Sequence, residues 1–449
     1  MSRWLPVVLL LTPRVSTAAV VPAERAGNVA QLMFPMLTAA TRVQYGMLTM
    51  RASAACSPAE PEYYIFENTS GGFIIIAGDD TVPPVLAYGS EGRFDADNMP
   101  EHVAAWMGWL RDGIAARRAA GARPSADVSA QWRAAESGTT RAGTSKLYTT
   151  ASWNQSAPYN GKLPDWDGKG SWAGCVPVAM AIIMRYHKHP AKGHRTLPDY
   201  EYVDANSQTR HISGYELGHE YDWDNMPLST ATAWTAHQTE QVQQFILDCA
   251  VMCQASISSV TSSGTSASTV SALTSMKRYM RYDSRSEYVT RNSYSSDEEW
   301  LAILKENLDN YGPLMYSGGG HCYVVDGYDS AGRFHLNLGW GGTYNGYYTY
   351  PDFYTFKDSH HTSLHLCPDM SDIRDKTLMR FEAATRILTF ETEPEAEWRL
   401  TGSDGRSITD CVTFSSDGVL KIDTSALPAG DYVLRLTIDD IDTDLKIKL

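Results

Sequence analysis

The chain has 449 residues, 43% of them hydrophobic and 20% charged, which excludes disordered and fibrous classes and gives length for about three globular domains. Lys and Arg number 38 against 52 Asp and Glu, and a formal charge of −14 would repel a phosphate backbone, so no nucleic acid partner is expected. No apolar run reaches the roughly 18 residues of a membrane-crossing helix, so no transmembrane segment is expected either.

In chain order, the first feature is a short apolar run over residues 5–11 after Arg3, followed by Ser16, Thr17, Ala18 and Ala19. This is the pattern of a signal peptide over 1–19 and implies a secreted or cell-surface protein. Residues 20–146 open with a helical stretch at 23–37 and continue with apolar strands at 63–66 and 72–77. A second helix, rich in Ala, Trp and Arg, follows at 100–119. The small, polar, glycine-containing stretch 134–145 reads as an exposed linker, the usual site of proteolytic nicking.

Residues 147–368 show helical periodicity at 176–186 and 239–254, then a hairpin pattern at 322–327 and 333–337 around Asp329-Ser330-Ala331-Gly332. Residues 369–449 are short strands, among them 386–390, 419–422 and 432–436. Ser416-Asp417-Gly418 and Pro428-Ala429-Gly430-Asp431 punctuate them, and the spacing predicts a small all-β sandwich.

Seven cysteines, at 56, 175, 249, 253, 322, 367 and 411, form no CxxC pair, which removes zinc ribbons and redox motifs. An odd count in an exported protein points to a free thiol. Cys249 and Cys253 lie one helical turn apart and read as core, and Cys322 alternates to the face opposite its neighbour His321.

Cys175 stands directly before the apolar helical run, after Gly174 and with Pro177 in the first turn, where a missing N–H does no harm. A thiol at that place faces unpaired backbone N–H groups and the positive end of the helix dipole, which favour thiolate. A buried core cysteine is the equal alternative on local sequence. Among twelve histidines, His321 is the best candidate base. It begins an apolar strand after Gly318-Gly319-Gly320, read as a flexible loop that could bring it across a cleft to a helix N-terminus. The clusters His187, His189, His194 and His360, His361, His365 fit no ligand geometry, so neither a metal nor a cofactor is expected.

At these residues the sequence resembles the streptopain family of papain-like cysteine proteases. Trp153-Asn154-Gln155-Ser156 is similar to the family's opening segment, Gly174-Cys175-Val176 to its nucleophile helix, and Tyr221-Asp222-Trp223-Asp224 to a further landmark. Gly320-His321-Cys322 resembles the histidine strand, and Asn337-Leu338-Gly339-Trp340-Gly341-Gly342 the glycine-rich turn behind it. Gly71-Gly72-Phe73 through Tyr88 is similar to the family's pro-domain, which masks the cleft until cleavage. The segment 427–449 resembles the sorting domain of the type IX secretion route.

The resemblance implies an α+β chain with a papain-like two-lobed catalytic domain at 147–368. An α+β pro-domain with its activation linker would precede it at 20–146, and a small β-sandwich would follow at 369–449. It implies catalysis by Cys175 and His321 as a thiolate–imidazolium pair, with Gln155 at the oxyanion and Asn337 orienting the histidine. Gly320, Ser266 and Trp340 are the candidate substrate contacts. A Trp expected after the family's Asn is replaced by Leu338. The partners implied are protein or peptide substrates and the chain's own pro-domain as intramolecular inhibitor. A catalytically silent surface-binding protein and a papain-like amidase or transglutaminase remain the alternatives.

Overall fold

The computed structural model describes residues 20–38, 48–54, 60–139, 143–204, 206–262, 264–350, 360–368 and most of 378–449. The expected signal peptide, part of the linker, and Cys56 and Cys411 lie outside the described residues.

The first unit runs α1 (Ala23–Thr38), β1 (Leu48–Ala54), β2 (Tyr63–Asn68), β3 (Phe73–Ala77), β4 (Val85–Gly89), α2 (Glu101–Ala119) and α3 (Ala126–Glu136). Helix α2 buries Val103, Trp106, Met107, Leu110 and Ile114, the i, i+3, i+4 stripe of a helix lying on a core. Helix α3 carries chain through residue 136, so the expected linker begins only after it. Ser125 caps α3 by accepting from the Val128 N–H, and Trp132 anchors it by donating to the Val82 carbonyl.

The second unit comprises β5 (Lys146–Leu147), α4 (Cys175–His187), β6 (Tyr200–Val203), β7 (Thr209–Ile212), α5 (Ala236–Met252), α6 (Thr269–Met280), β8 (Glu287–Thr290) and α7 (Asp297–Tyr311). It ends with β9 (Leu314–Gly318), β10 (His321–Tyr328), β11 (Phe334–Asn337), β12 (Gly346–Tyr348) and β13 (His361–Leu364). Strand alternation on β9 and β10 divides its apolar residues between two cores. Met315, Cys322 and Val324 pack with α4, α5 and α6, whereas Leu314, Tyr316, Tyr323 and Val325 join α7 and the first unit.

These two units share one antiparallel sheet, ordered β1-β2-β3-β4-β12-β11-β10-β9-β13-β8 with β5 paired beside β10. The junction is β4 against β12, where Tyr347 lies opposite Tyr88 and Tyr348 opposite Ala87. Arg333 seals it from below: its Nε donates to Asp329 Oδ2 at 2.7 Å, and its guanidinium lies over the Tyr88 ring, whose hydroxyl donates to the same carboxylate.

The third unit holds β14 (Leu378–Glu382), β15 (Ile387–Glu391), β16 (Glu397–Gly402), β17 (Thr413–Ser416), β18 (Val419–Asp423), β19 (Asp431–Ile438) and β20 (Ile441–Lys448). One sheet is β14-β15-β18-β17 and the other β16-β19-β20. Leu388 and Ile422 from the first meet Leu400, Leu434 and Ile447 from the second in a separate core, so the expected sandwich is present.

Candidate active site

Gly174 precedes α4 at φ 88, and a Cβ there would meet Thr265 Cγ2 at 2.8 Å. Only glycine fits both the dihedral and the contact, so the chain turns sharply and Cys175 becomes the first residue of the helix. The Cys175 thiol is half-buried and faces the backbone N–H of Cys322 on β10. Burial holds it above its ordinary range, outweighing N–H groups of Cys322, Val176 and Cys175 itself that pull the other way. Cys175, Cys249, Cys253 and Cys322 are free thiols.

His321 is placed by a tight turn, not the flexible loop expected. Gly318 pairs directly with His321, and Gly319 and Gly320 between them have φ 62 and φ 80. Two left-handed central residues make a two-residue hairpin whose twist suits the strands. His321 is 6% exposed, and its Nε2 lies 2.8 Å from the Leu338 carbonyl. A carbonyl can only accept, so Nε2 carries the proton and Nδ1 is the free base of the neutral ring. Burial holds this imidazole down to about 4, although the Leu338 carbonyl pulls it upward. Burial thus disfavours both charged forms of the expected thiolate–imidazolium pair while the first unit covers the site.

What buries the histidine is the first unit. His102, near the start of α2, stacks on His321 with centroids 3.9 Å apart and planes at 10°. His102 also rests on the hairpin, its Cβ 3.6 Å from where a Gly319 Cβ would stand. Trp106 and Trp109 of the same helix line, with Tyr323, Leu338 and His360, a cavity of about 50 Å³ against His102. His102 was not anticipated from sequence, because helical periodicity marks its burial but names no partner across the fold.

Gln155 is 6% exposed, its carbonyl accepts from the Ala173 N–H at 2.8 Å, and its side-chain Nε2 is buried without a hydrogen-bond partner. It is thus tied two residues before the cysteine with an unused donor. Asn337 is 1% exposed, and its Nδ2 donates to Thr150 Oγ1 and to the Ala151 carbonyl, each at 2.9 Å. Its side chain does not bond His321, which takes the next residue's carbonyl instead. Trp340 lies parallel to His321 at 5.6 Å and 11°, with its indole N–H buried and unpartnered. Gly320 is exposed at the hairpin tip with open space around it. Ser266 is exposed, and its backbone exchanges hydrogen bonds with Ser256.

A cysteine opening a helix, a histidine opening the strand beside it, and an α+β unit laid over that histidine define a class: a papain-like cysteine peptidase beneath its pro-domain. The Peptidase C10 family matches residues 153–348, and the Spi protease inhibitor family matches residues 18–114. The chain is 26% identical over 314 residues to streptopain of Streptococcus pyogenes, covering 64% of this chain and 73% of streptopain. It is 27% identical over 308 residues to the thiol protease/hemagglutinin PrtT of Porphyromonas gingivalis, covering 65% of this chain and 34% of PrtT, so it spans about a third of that relative. In fold it is similar to a Prevotella intermedia prointerpain A fragment, with TM-score 0.54, 24% identity, 72% of this chain and 99% of that one covered. By these matches residues 153–348 are a streptopain-like cysteine peptidase region of the C10 family.

Proposed function

We propose that this protein is a secreted cysteine endopeptidase made as a zymogen, with Cys175 as nucleophile and His321 as acid and base. In this reading residues 1–19 are a signal peptide, 20–146 the pro-domain with its activation linker, 147–368 the catalytic domain, and 369–449 a β-sandwich serving export. Among the described residues no helix is long and apolar enough to cross a membrane.

The observation that carries the reading is the unpartnered donor on Gln155. Leaving a buried N–H unpaired costs about 1–3 kcal/mol, an expense suited to a group awaiting charge that develops only during reaction. The backbone N–H of Cys175, in the first turn of α4, has no intrahelical acceptor and supplies the second donor.

Once the pro-domain leaves, His321 Nδ1 accepts the Cys175 proton and the thiolate adds to the scissile carbonyl carbon. The carbonyl electrons move to an oxyanion held by Gln155 Nε2 and the Cys175 N–H. Collapse breaks the C–N bond, His321 returns the proton to the departing amine, and a thioester remains. Water then attacks the thioester with His321 as base, releasing the acid and restoring the thiol.

The test is to incubate wild type, Cys175→Ala and Gln155→Ala side by side, read new N-termini by mass spectrometry, and follow casein cleavage with and without a thiol-alkylating reagent. Wild type should cut itself between residues 136 and 146 and digest casein, and Cys175→Ala should stay intact. Gln155→Ala should retain cleavage about 10²–10³-fold slower, the usual loss for one oxyanion donor. Absence of thiol-sensitive cleavage, or ammonia and cross-links in place of peptides, would overturn the reading.

A further inference from the structure

Behind Asn337 runs a directional hydrogen-bond chain for which the reaction just described has no use. The Asn337 amide is fixed in one orientation, because the Ala151 carbonyl can only accept and so must face Nδ2. The second Nδ2 hydrogen goes to Thr150 Oγ1. Thr150 spends its single hydroxyl proton on Asp326 Oδ2 at 2.5 Å, which turns its oxygen lone pairs toward Asn337. Asp326 is 1% exposed on β10, and its other oxygen lies 2.5 Å from His335 Nδ1 on β11. Both Asn337 donors are therefore engaged and Oδ1 is held as an acceptor, taken only by the Gly339 N–H at a long 3.3 Å.

We propose that Thr150 and Asp326 are positioning residues that hold the Asn337 carbonyl oxygen ready to receive His321 Nε2–H when the pro-domain departs. The inference rests on the peptidase reading of Cys175 and His321. Its economy lies in the tautomer: Nε2 already carries the proton and already donates to Leu338, the residue next to Asn337. Moving the donor from the Leu338 carbonyl to Asn337 Oδ1 needs no change of protonation. It aims Nδ1 at the thiol, and an acceptor on Nε2–H stabilises the imidazolium partner of the thiolate. A buried carboxylate at the far end polarises the chain, making Oδ1 the better acceptor. Because Thr150 and Ala151 both lie on the segment just after the linker, the activating cut must fall before Thr150 or the amide is untied.

The experiment compares wild type, Thr150→Val and Thr150→Ser as full chains nicked in the linker with trypsin that is then inhibited, the pro-domain remaining in the mixture. Peptide hydrolysis and the rate of Cys175 alkylation by iodoacetamide are each followed across pH 5–9, and thermal unfolding is recorded. Thr150→Val keeps shape but loses the hydroxyl, and should lower kcat about tenfold to a hundredfold with KM little changed. Its alkylation profile should move to higher pH by about one unit, as the thiolate loses a stabilised partner. Thr150→Ser should restore both.

An unshifted alkylation profile in a folded Thr150→Val protein would overturn the inference, and so would equal losses in the two variants. A shifted profile without hydrolysis by any variant would support the positioning chain while removing the peptidase reading.

Discussion

His102 stacks on His321 and helps bury it, and is itself in an awkward position. Its imidazole is held down to about 2, first by burial and then by the neighbouring His321, and its Nε2 is buried without a partner. The docked state thus excludes a proton that a released His102 would bind below about pH 6.5. Stability of docking is complete above that value and is lost progressively as pH falls below it, because the undocked state binds more protons. Self-processing of wild type relative to His102→Phe, followed on gels between pH 7.5 and 5, should therefore rise as pH falls. Phe keeps the stacked plane but cannot titrate, and a ratio independent of pH would refute the assignment. Cys175 and His321 were singled out in the sequence by residue type and local punctuation, a glycine before a helix and glycines before a strand, whereas Gln155 came from the family resemblance alone. His102, Thr150 and Asp326 were not legible there, since each acquires its role only from a partner that tertiary structure brings up to it.

The elements that aim the thiol are the start of α4 and the loop containing Thr265. Thr265 Oγ1 donates to the Trp172 carbonyl and accepts from the Ser258 N–H, so the loop is pinned against the Cβ-less face of Gly174. Gly174→Ala forces a side chain into both a positive φ and a 2.8 Å contact. It should cost about 1–3 kcal/mol in urea unfolding and misplace the thiol, so that activity falls further than stability alone requires. Stability and rate matching those of wild type would show that the turn does not set the geometry. Helices α1, α2, α4 and α5 were foreseeable from apolar stripes, and the β10–β11 hairpin from its turn. Helix α6 was hidden in a Ser/Thr-rich run, yet Ser268 at its N-cap accepts from the Ser271 N–H and starts it. Helix α7, equally unforeseen, is capped the same way by Ser296.

At the scale of the whole molecule, the third unit has its own core and the first two have one in common. Deleting residues 369–449 should accordingly leave self-processing and casein cleavage within about twofold of the full chain while removing export; a collapse of activity would show that the sandwich supports the catalytic domain. The first two units behave otherwise. Phe73 and Phe94 of the first pack on Tyr348 and Tyr344 of the second, and Trp106 meets Tyr348 edge-on, so neither side closes that core alone. The β4–β12 ladder runs across the same boundary, with the Thr349 N–H adding a bond to the Leu86 carbonyl. Cutting the linker frees an inhibitor that takes half of a shared core with it. Once adrift it is a sheet with a bare edge and an uncovered aromatic wall, prey for the enzyme it had restrained. Activation built in this way should run forward only: a guard digested on leaving its post could be replaced only by a newly made chain.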